Sequence, residues 1–444
     1  MRIVIVGGGS YGWGPTIIRD IAVTEHLAGC HIVLEDIDPE PLEILYPLGK
    51  KIVEAAGTGC TIEATTNEVE ALTGADFVIL TITTGGLDMM EHDIAVPLKY
   101  GIYQPVGDTV GPGGLLRALR NIPVVVGIAK NIEMHAKPGC WLINYTNPMT
   151  TLCRSVTRET SVPTIGLCHE LFGTLGMLQG IFGLDNWHRD ISVKVGGVNH
   201  LPWIVEMSVR GRDGFDLLRK ALEKPLEVQE VEGLTLSLDT HKLDHSQVKF
   251  ELFKTFGCLP AAGDRHLVEF FPYFCTEATN AAADFGVGLT TVEERRTHWR
   301  GGAIERCKKM LSGEEEINLD RSGETASRIM AALSGGEPMI DVMNVPNVGQ
   351  INNLPREAVV ECMGTIDGSG AHGISIGDLP PGIAANVQRH VYNQEMTVEA
   401  ALSGDRNLAL QVLCNDPLVR DDWRIARKML DEMIELTGEY LPQF

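Results

Sequence analysis

Short, nearly continuous apolar runs separate longer mixed stretches through the first third of the chain. The runs are RIVIV, CHIVLED, FVILTIT, PVVVGIA, CWLIN and VPTIGL, at residues 2–6, 30–36, 77–83, 123–129, 140–144 and 162–167. Strands that are buried on both faces of a parallel sheet carry such runs, and helices connect them. The pattern therefore predicts an α/β fold with a doubly wound parallel sheet at its N-terminus.

The pattern changes in the rest of the chain, where strand-like and helix-like segments are mixed. Amphipathic helices are predicted within residues 293–311, 384–396 and 422–436. We expect two domains. Residues 1–165 would hold the parallel sheet, and residues 166–444 would form a mixed α+β domain that closes over it and binds metal and substrate.

A glycine-rich loop follows the first apolar run, in the order strand, turn and helix. GGGSYGWGP at residues 7–15 leads into a helix-like stretch over residues 16–24. Gly7 allows a tight turn, Gly9 lets the backbone approach a pyrophosphate, and the helix N-terminus offers free N–H groups to phosphate oxygens. With Ser10, these glycines are the predicted dinucleotide-binding residues of the loop. The third glycine of the usual GxGxxG pattern is displaced, so an ordinary tight turn is the alternative.

An acidic pair ends the second apolar run, about 20 residues beyond the loop, where a carboxylate would bind the adenosine ribose. Asp36 is the predicted ligand, and Glu35 and Asp38 are alternatives because strand ends are uncertain by a residue or two. A carboxylate here repels a 2′-phosphate, which favours NAD over NADP. The first domain is therefore predicted to be a Rossmann-like NAD-binding domain.

The composition is that of a globular protein with an acidic surface. Its 444 residues carry a formal net charge of -22, so nucleic acid and anionic membranes are not expected partners. The ten cysteines are scattered, without CxxC pairs. The sequence shows neither a signal peptide nor an apolar run long enough to span a bilayer. A cytoplasmic protein with reduced thiols is expected.

Cys168 and His200 are candidate ligands of a divalent metal. They lie in GLCHE at residues 166–170 and in GGVNHLPW at residues 196–203. A thiolate and a neutral imidazole suit a borderline cation, and two protein ligands leave positions open for substrate oxygens. Their separation matches no zinc-finger spacing, and each residue alone is better explained as a core cysteine or a loop histidine.

Several further motifs are spread along nearly the whole chain. They are GGGS, LEDID, DIAVPLKYG, GDTVGPGG, INYTNP, GLCHE, GVNHLPW, NVPNVGQINNLP and LSGDRNLALQVLCNDPLV, at residues 7–10, 34–38, 93–101, 107–114, 143–148, 166–170, 197–203, 344–355 and 402–419. Together they resemble glycoside hydrolase family 4, the NAD- and divalent-metal-dependent glycosidases. The combination is far more specific than any one motif.

The resemblance implies a glycosidase that does not use the usual pair of carboxylates. NAD takes hydride from C3 of the sugar, the C2 proton is removed, and the leaving group departs by elimination. Water then adds and the hydride returns. A divalent metal, usually manganese, would bind the C2 and C3 oxygens as a Lewis acid. The implied partner is a small-molecule glycoside, and the implied assembly is a homodimer or homotetramer.

Residue by residue, the resemblance assigns Cys168 and His200 to the metal and Asn147 to the substrate. Asp108 matches an acid that contacts substrate or a metal-bound water, with a turn residue as the alternative. Asp264 matches the C2 base of the members that use aspartate. Its alternative is an N-cap of the helix predicted after it.

Three further residues bear on which sugar the enzyme would cleave. His169 matches a general acid or substrate contact, whereas phosphosugar-specific members carry asparagine or aspartate there. Glu170 gives CHE, which is closer to uronate-processing members than the CHS of α-glucosidases and α-galactosidases. Arg265, with His266 nearby, would bind a uronate carboxylate in a bidentate fork, and a solvated arginine is the alternative. The run AAGDRHLVEFF at residues 261–271 also resembles the galacturonidase-like branch, so the predicted substrate is an α-uronide, either a galacturonide or a glucuronide. In one respect the chain departs from that branch, because galacturonidases carry a small residue where Glu170 stands.

Two other functions stay open. One is an α-glucosidase or α-galactosidase of the same family. The other is a 2-hydroxy acid dehydrogenase of malate or lactate type, whose nucleotide domain would look similar. Such a dehydrogenase would need a catalytic His-Asp pair and substrate-binding arginines, but no Cys/His metal site.

Overall fold

Six parallel strands form the N-terminal part of one 13-stranded sheet. The computed structural model describes residues 1–420 and 422–444. The parallel strands are β1 Arg2–Val6, β2 His31–Glu35, β3 Thr61–Thr65, β4 Phe77–Leu80, β5 Trp141–Asn144 and β6 Thr164–Gly166. Their order across the sheet is β3-β2-β1-β4-β5-β6, and every neighbouring pair is parallel. The predicted Rossmann-like doubly wound sheet is confirmed.

The parallel sheet is buried on both faces, as its continuous apolar runs require. Along β1, Ile3 and Ile5 belong to one hydrophobic cluster and Val4 and Val6 to another, because successive side chains point to opposite faces. All four side chains are buried. The helices of this part are α1 Gly14–Ala22, α2 Pro39–Ala56, α3 Glu68–Leu72, α4 Gly86–Lys99, α5 Gly111–His135 and α6 Met149–Glu159.

One predicted strand is wrong. The apolar run at residues 123–129 lies in the middle of α5, a helix of 25 residues that contains Pro123. Most side chains of α5 are buried, so the run reflects burial around much of the helix rather than the two-residue period of a strand. Conversely, the apolar runs missed the strand β3, because it lies at the sheet edge and its side chains are half-buried or exposed.

Antiparallel strands extend the same sheet beyond β6. These strands and a separate hairpin are β7 Ile191–Val198, β8 Leu201–Val209, β9 Arg212–Asp213, β10 Val228–Val231, β11 Leu234–Ser237, β12 Leu259–Pro260, β13 Met339–Pro346, β14 Val359–Asp367 and β15 Gly370–Gly373. β13 joins β6 where Asn344 pairs with Gly166, and the order continues β13-β14-β7-β8-β12. β10 and β11 form the separate two-stranded sheet. The large sheet therefore runs without a break from its parallel part into its antiparallel part.

Helices of the second part complete the fold. They are α7 Glu170–Ile181, α8 Trp187–Asp190, α9 Gly214–Glu223, α10 Thr240–Asp244, α11 Gln247–Phe256, α12 Asp264–Phe270, α13 Val292–Glu294, a π-helical segment Arg295–Gly301, α14 Gly302–Ser312, α15 Ala326–Leu333, α16 Pro381–Ser403, α17 Arg406–Asn415 and α18 Trp423–Thr437. The last three contact α4, α5 and α6, so the end of the chain packs against the first part. None of the described helices combines the length and apolar character that a bilayer span requires.

His390, in α16, is predicted to make unfolding depend on pH. Its ring centroid lies 4.7 Å from that of Phe270 in α12, and burial lowers the pKa of His390 to about 3. Below about pH 6.5 the unfolded chain binds a proton that the folded chain does not, so acid favours unfolding.

We expect the stability advantage of the wild type over His390→Leu to shrink by about 1 kcal/mol for each pH unit between about pH 6 and about pH 4. Urea unfolding of both proteins across that range measures it. A difference that stays constant with pH would contradict the expectation.

Candidate active site

A cavity of about 680 Å³ lies at the carboxyl ends of the parallel strands, where open α/β sheets bind their ligands. Segments that follow β1, β4, β5 and β6 form one wall, and residues around α12 form another. Most of the predicted site residues line it, namely Ser10, Asp108, Asn147, Cys168, His169, Glu170, His200, Asp264 and Arg265. Gly7, Gly9 and Asp36 are not among the residues that line the cavity.

The glycine loop lies directly against the ends of two neighbouring strands. Gly7 has a φ of +84°, and a Cβ there would lie 2.2 Å from the carbonyl oxygen of Thr81, just after β4. A Cβ on Gly9 would lie 2.5 Å from Oδ2 of Asp36, which accepts a hydrogen bond from the Gly9 N–H at 2.8 Å. A side chain fits at neither position, so bare backbone leads into α1. This arrangement fits a bound pyrophosphate.

Three side chains, here called the aspartate–histidine group, could hold a metal ion. One ligand atom each of Asp108, His200 and His266 lies within 4.8 Å of the other two. The rings of His200 and His266 stack with centroids 3.6 Å apart, and Nδ1 of His200 lies 2.8 Å from Oγ1 of Thr109. Because that contact occupies Nδ1, Nε2 of His200 is the nitrogen left for a metal. A carboxylate and two imidazoles suit a divalent cation.

A tight turn between β7 and β8 places His200. The strands pair as far as Val198 and Leu201, and Asn199 and His200 connect them. His200 has a φ of 63°, an uncommon conformation for a residue other than glycine. The pairing of the two strands holds the residue in this conformation and its side chain in the cavity wall.

The electrostatics of the group favour a bound cation. Burial opposes ionisation of Asp108, but His200, His266 and Arg117 outweigh it and hold the pKa of Asp108 at about 2. Burial, and then the neighbouring His266, lowers the pKa of His200 to about 3. An ionised carboxylate and a neutral imidazole are the forms that bind metals.

Cys168 follows β6 in the wall of the same cavity, but its sulfur is not part of the compact aspartate–histidine group. Burial raises the pKa of the thiol well above its usual value, and Glu361 and Glu170 raise it further. A buried thiolate needs a compensating positive charge. A bound divalent cation would supply that charge and favour the thiolate.

Glu361, in β14, ties the His200 turn to the neighbouring strands. It is fully buried, and its Oε2 accepts hydrogen bonds from Nδ2 of Asn199 at 2.9 Å and from Nδ2 of Asn344 at 3.0 Å. Burial raises the pKa of Glu361 to about 7. Asn199 precedes His200 in the turn, and Asn344 in β13 pairs with Gly166 of β6, the strand that leads to Cys168. The carboxylate of Glu361 therefore links the two segments that carry Cys168 and His200.

Asp264 begins α12, and its carboxylate caps the preceding helix α11 rather than its own. Oδ2 accepts the N–H of Val248 at 2.9 Å, and Oδ1 accepts the N–H of Lys249 at 3.0 Å. Burial raises the pKa of Asp264 to about 6, against the opposing effect of Lys249. The side chain also lines the cavity, so capping and contact with a ligand are compatible.

His169 and Glu170 follow Cys168 at the start of α7. Nδ1 of His169 lies 3.4 Å from Oε1 of Glu324, and the His169 side chain is 57% exposed. Glu170 accepts the N–H of Gly263 at 2.5 Å through Oε2, directly before α12. Burial opposes its ionisation, but His266 and His200 together lower the pKa of Glu170 to about 2. Glu170 therefore links α7 to α12.

Asn147 lies between the aspartate–histidine group and a buried arginine. Its backbone carbonyl accepts a hydrogen bond from Nε of Arg117 at 2.9 Å, and its Nδ2 donates to Oδ2 of Asp108 at 3.4 Å. The Asn147–Pro148 peptide is cis. Oδ1 of Asn147 is buried and has no partner among the described residues, so it is available to a ligand hydroxyl.

The loop that carries Asp108 is held on both sides. Oε1 of Glu269, in α12, accepts the N–H groups of Val106 and Gly107, each at 2.8 Å. The carbonyl oxygens of the loop accept from two arginines, with Pro105 bonded to Arg265 at 3.4 Å and Val106 bonded to Arg295 at 3.0 Å. These contacts join the N-terminal part of the chain to α12 and to the π-helical segment.

The sequence did not assign a role to several of these residues, among them His266, Glu269, Arg295 and Glu361. His266 had one local signal, its place beside Asp264 and Arg265. The other three reach the site through contacts between distant segments. Glu269 lies in the run AAGDRHLVEFF at residues 261–271, but the resemblance of that run assigned it no role.

Two family models match the chain. The model described as family 4 glycosyl hydrolase covers residues 2–184, and that of the family 4 glycosyl hydrolase C-terminal domain covers residues 195–419. The chain belongs to glycosyl hydrolase family 4. It is a glycosidase, and the family predicted from the motifs is confirmed.

Several proteins resemble this family 4 chain over its whole length. The alpha-galacturonidase of Thermoanaerobacterium saccharolyticum is 38% identical, over 99% of this chain and 96% of its own. The crystal structure of a putative glucosidase of Bacillus subtilis is 34% identical, with a TM-score of 0.87, over 98% of this chain and 99% of its own. A 6-phospho-alpha-glucosidase from gut microorganisms, in complex with NAD and Mn²⁺, has a TM-score of 0.82 at 20% identity, over 100% and 99%. This last likeness shows the fold alone.

Glu269 is predicted to stabilise the loop that carries Asp108. In Glu269→Ala, the buried N–H groups of Val106 and Gly107 lose their acceptor, and each unpaired group costs about 1–3 kcal/mol. Glu269→Gln keeps a carbonyl oxygen that can accept both.

We therefore expect urea unfolding to show a loss of roughly 2–5 kcal/mol for Glu269→Ala and a clearly smaller loss for Glu269→Gln. Equal stability of the alanine variant and the wild type would show that these two hydrogen bonds do not hold the loop.

Proposed function

We propose that this family 4 glycosidase hydrolyses α-linked uronides, galacturonides or glucuronides, with NAD and a divalent metal. The observation that carries the proposal is Arg265, which lines the cavity that contains the aspartate–histidine group. Its Nε is buried and has no partner among the described residues. A guanidinium with a free N–H beside a candidate metal position suits a sugar acid better than a neutral sugar. The 38% identical alpha-galacturonidase supports the same substrate class.

The residues present fit both cofactors. The glycine loop with Ser10 would hold the pyrophosphate of NAD, and Asp36 beside Gly9 would bind the ribose. Cys168, His200 and His266 would hold the metal, for which manganese is the proposed ion, with Asp108 beside them. When bound, NAD supplies reversible oxidation at C3, and the metal supplies Lewis-acid stabilisation of negative charge on the C2 and C3 oxygens.

The protein side chains would then move protons at two positions. Asp264 would accept the C2 proton, because each of its oxygens accepts one backbone N–H and keeps a further lone pair. His169 would donate a proton from Nε2 to the leaving-group oxygen, with Glu324 beside its Nδ1. Asn147 would orient the sugar through its unpartnered Oδ1, and Asp108 would contact the sugar hydroxyls or a water on the metal.

Location and assembly are two further parts of the proposal. We infer a cytoplasmic enzyme that forms a homodimer or homotetramer. Its ten cysteines are free, which suits a reducing compartment. Light scattering of the purified protein tests the assembly directly.

The substrate is tested with p-nitrophenyl α-galacturonide, α-glucuronide, α-glucoside and α-galactoside, each with NAD, Mn²⁺ and a thiol reductant. We expect nitrophenol release to be fastest from a uronide, and to stop on addition of EDTA or in Cys168→Ser. Preference for a neutral glycoside would favour the α-glucosidase or α-galactosidase alternative. Stoichiometric NADH from malate or lactate, without nitrophenol, would favour the dehydrogenase.

Metal binding can be measured without turnover, by electron paramagnetic resonance titration of Mn²⁺. We expect His266→Ala to weaken binding by at least about tenfold, because it removes one member of the aspartate–histidine group. His245→Ala is the matched control, since His245 also lines the cavity but lies outside that group. Equal Mn²⁺ affinity in both variants would remove His266 from the ligand set.

A further inference from the structure

Arg295 enters the cavity from a segment with no recognised motif. It is the first residue of the π-helical segment Arg295–Gly301. Its Nη2 donates to the carbonyl oxygen of Val106 at 3.0 Å, and its guanidinium carbon lies 5.1 Å from the ring centroid of Trp299. Its Nε is buried and has no partner among the described residues. The side chain is therefore held in place by contacts that leave one donor free.

Arg265 is held in the same way beside it. Its Nη2 donates to the carbonyl oxygen of Pro105, the residue before Val106, and its Nε is likewise buried without a partner. Burial lowers the pKa of Arg295, Asp108 opposes this shift, and Arg117 and Arg265 lower the pKa further. Arg117, Arg265 and Arg295 all line the cavity, and the charges of Arg117 and Arg265 act on Arg295.

No carboxylate in the described part of the chain forms an ion pair with Arg117, Arg265 or Arg295 at a distance of 4.0 Å or less. This is unusual in a protein with 59 acidic residues against 37 lysines and arginines. Buried charges are normally paired, because an unpaired one loses its hydration without compensation. Arg265 and Arg295 are half-buried, and Asp108 and Glu269 act on Arg295 only from beyond ion-pair distance. An anion that arrives with the substrate would therefore be their direct partner.

We propose that Arg265 and Arg295 together bind the carboxylate of the uronide, and that Arg295 sets the preference for uronides over neutral sugars. This inference rests on the proposed function. The side chains of Arg265 and Arg295 line the cavity that also contains the aspartate–histidine group, so one sugar ring can contact both sets of residues. A planar carboxylate can accept hydrogen bonds from two guanidinium groups. Each guanidinium already donates from its Nη2 to a backbone carbonyl oxygen.

Arg295→Met tests the assignment, because it removes the charge and keeps an unbranched side chain that can cover Trp299. We expect kcat/KM for p-nitrophenyl α-galacturonide to fall roughly 100-fold, and kcat/KM for the α-galactoside to change less than about threefold. Arg296→Met is the matched control. Arg296 is the next residue, but it pairs at the surface with Asp88 and Glu91, so both rates should stay as in the wild type.

Arg295→Lys is the more conservative variant and controls for a folding defect in Arg295→Met. It keeps the positive charge but loses the planar guanidinium. We expect it to lose at least about fivefold on the galacturonide alone. Equal losses on both substrates, or no loss in either variant, would overturn the role of Arg295 while the proposed function stands. A wild type that prefers the galactoside would instead overturn the proposed function. Faster cleavage of a 6-phosphogalactoside than of the galacturonide would show that the two arginines bind a phosphate rather than a carboxylate.

Discussion

The paired hydrogen bonds from Val106 and Gly107 to Glu269 are the contact on which the active-site geometry depends. They join the loop that leads into α5, in the parallel half of the fold, to α12 in the other half. Asp108 follows in that loop, and α12 begins with Asp264, followed by the arginine and histidine of the site. The two walls of the cavity therefore keep their spacing through one buried carboxylate.

A fully buried carboxylate is a costly means of joining two segments, and burial raises the pKa of Glu269 to about 8. The Glu269 carboxylate fixes the geometry of the site, because two adjacent N–H groups that donate to one oxygen set both the position and the direction of the loop. Glu361 has a similar role on the opposite wall, where it fixes the turn of His200 against β13. Each wall thus contains one buried acid that contacts backbone or amide donors and holds the residues that would touch a ligand.

The apolar runs were sufficient to predict five of the six parallel strands, because burial on both faces leaves a continuous signature in the sequence. They failed at residues 123–129, where a buried helix has the same signature, and at β3, whose edge position leaves it partly polar. Most of the site residues predicted from the glycine loop and the family resemblance line the cavity. The resemblance did not assign Glu269 or Arg295, because these residues reach the cavity through pairings between segments more than 150 positions apart.

The proposed mechanism uses the carboxylate, the candidate metal group and the dinucleotide loop to remove a proton from carbon, rather than to displace the leaving group directly at C1. The most direct test is hydrolysis of an α-galacturonide in D₂O, with the product examined by NMR and mass spectrometry. Proton removal at C2 predicts deuterium on C2 of the released sugar. A product that retains its original hydrogen at C2 throughout the reaction, with no slowing of a C2-deuterated substrate, would contradict it.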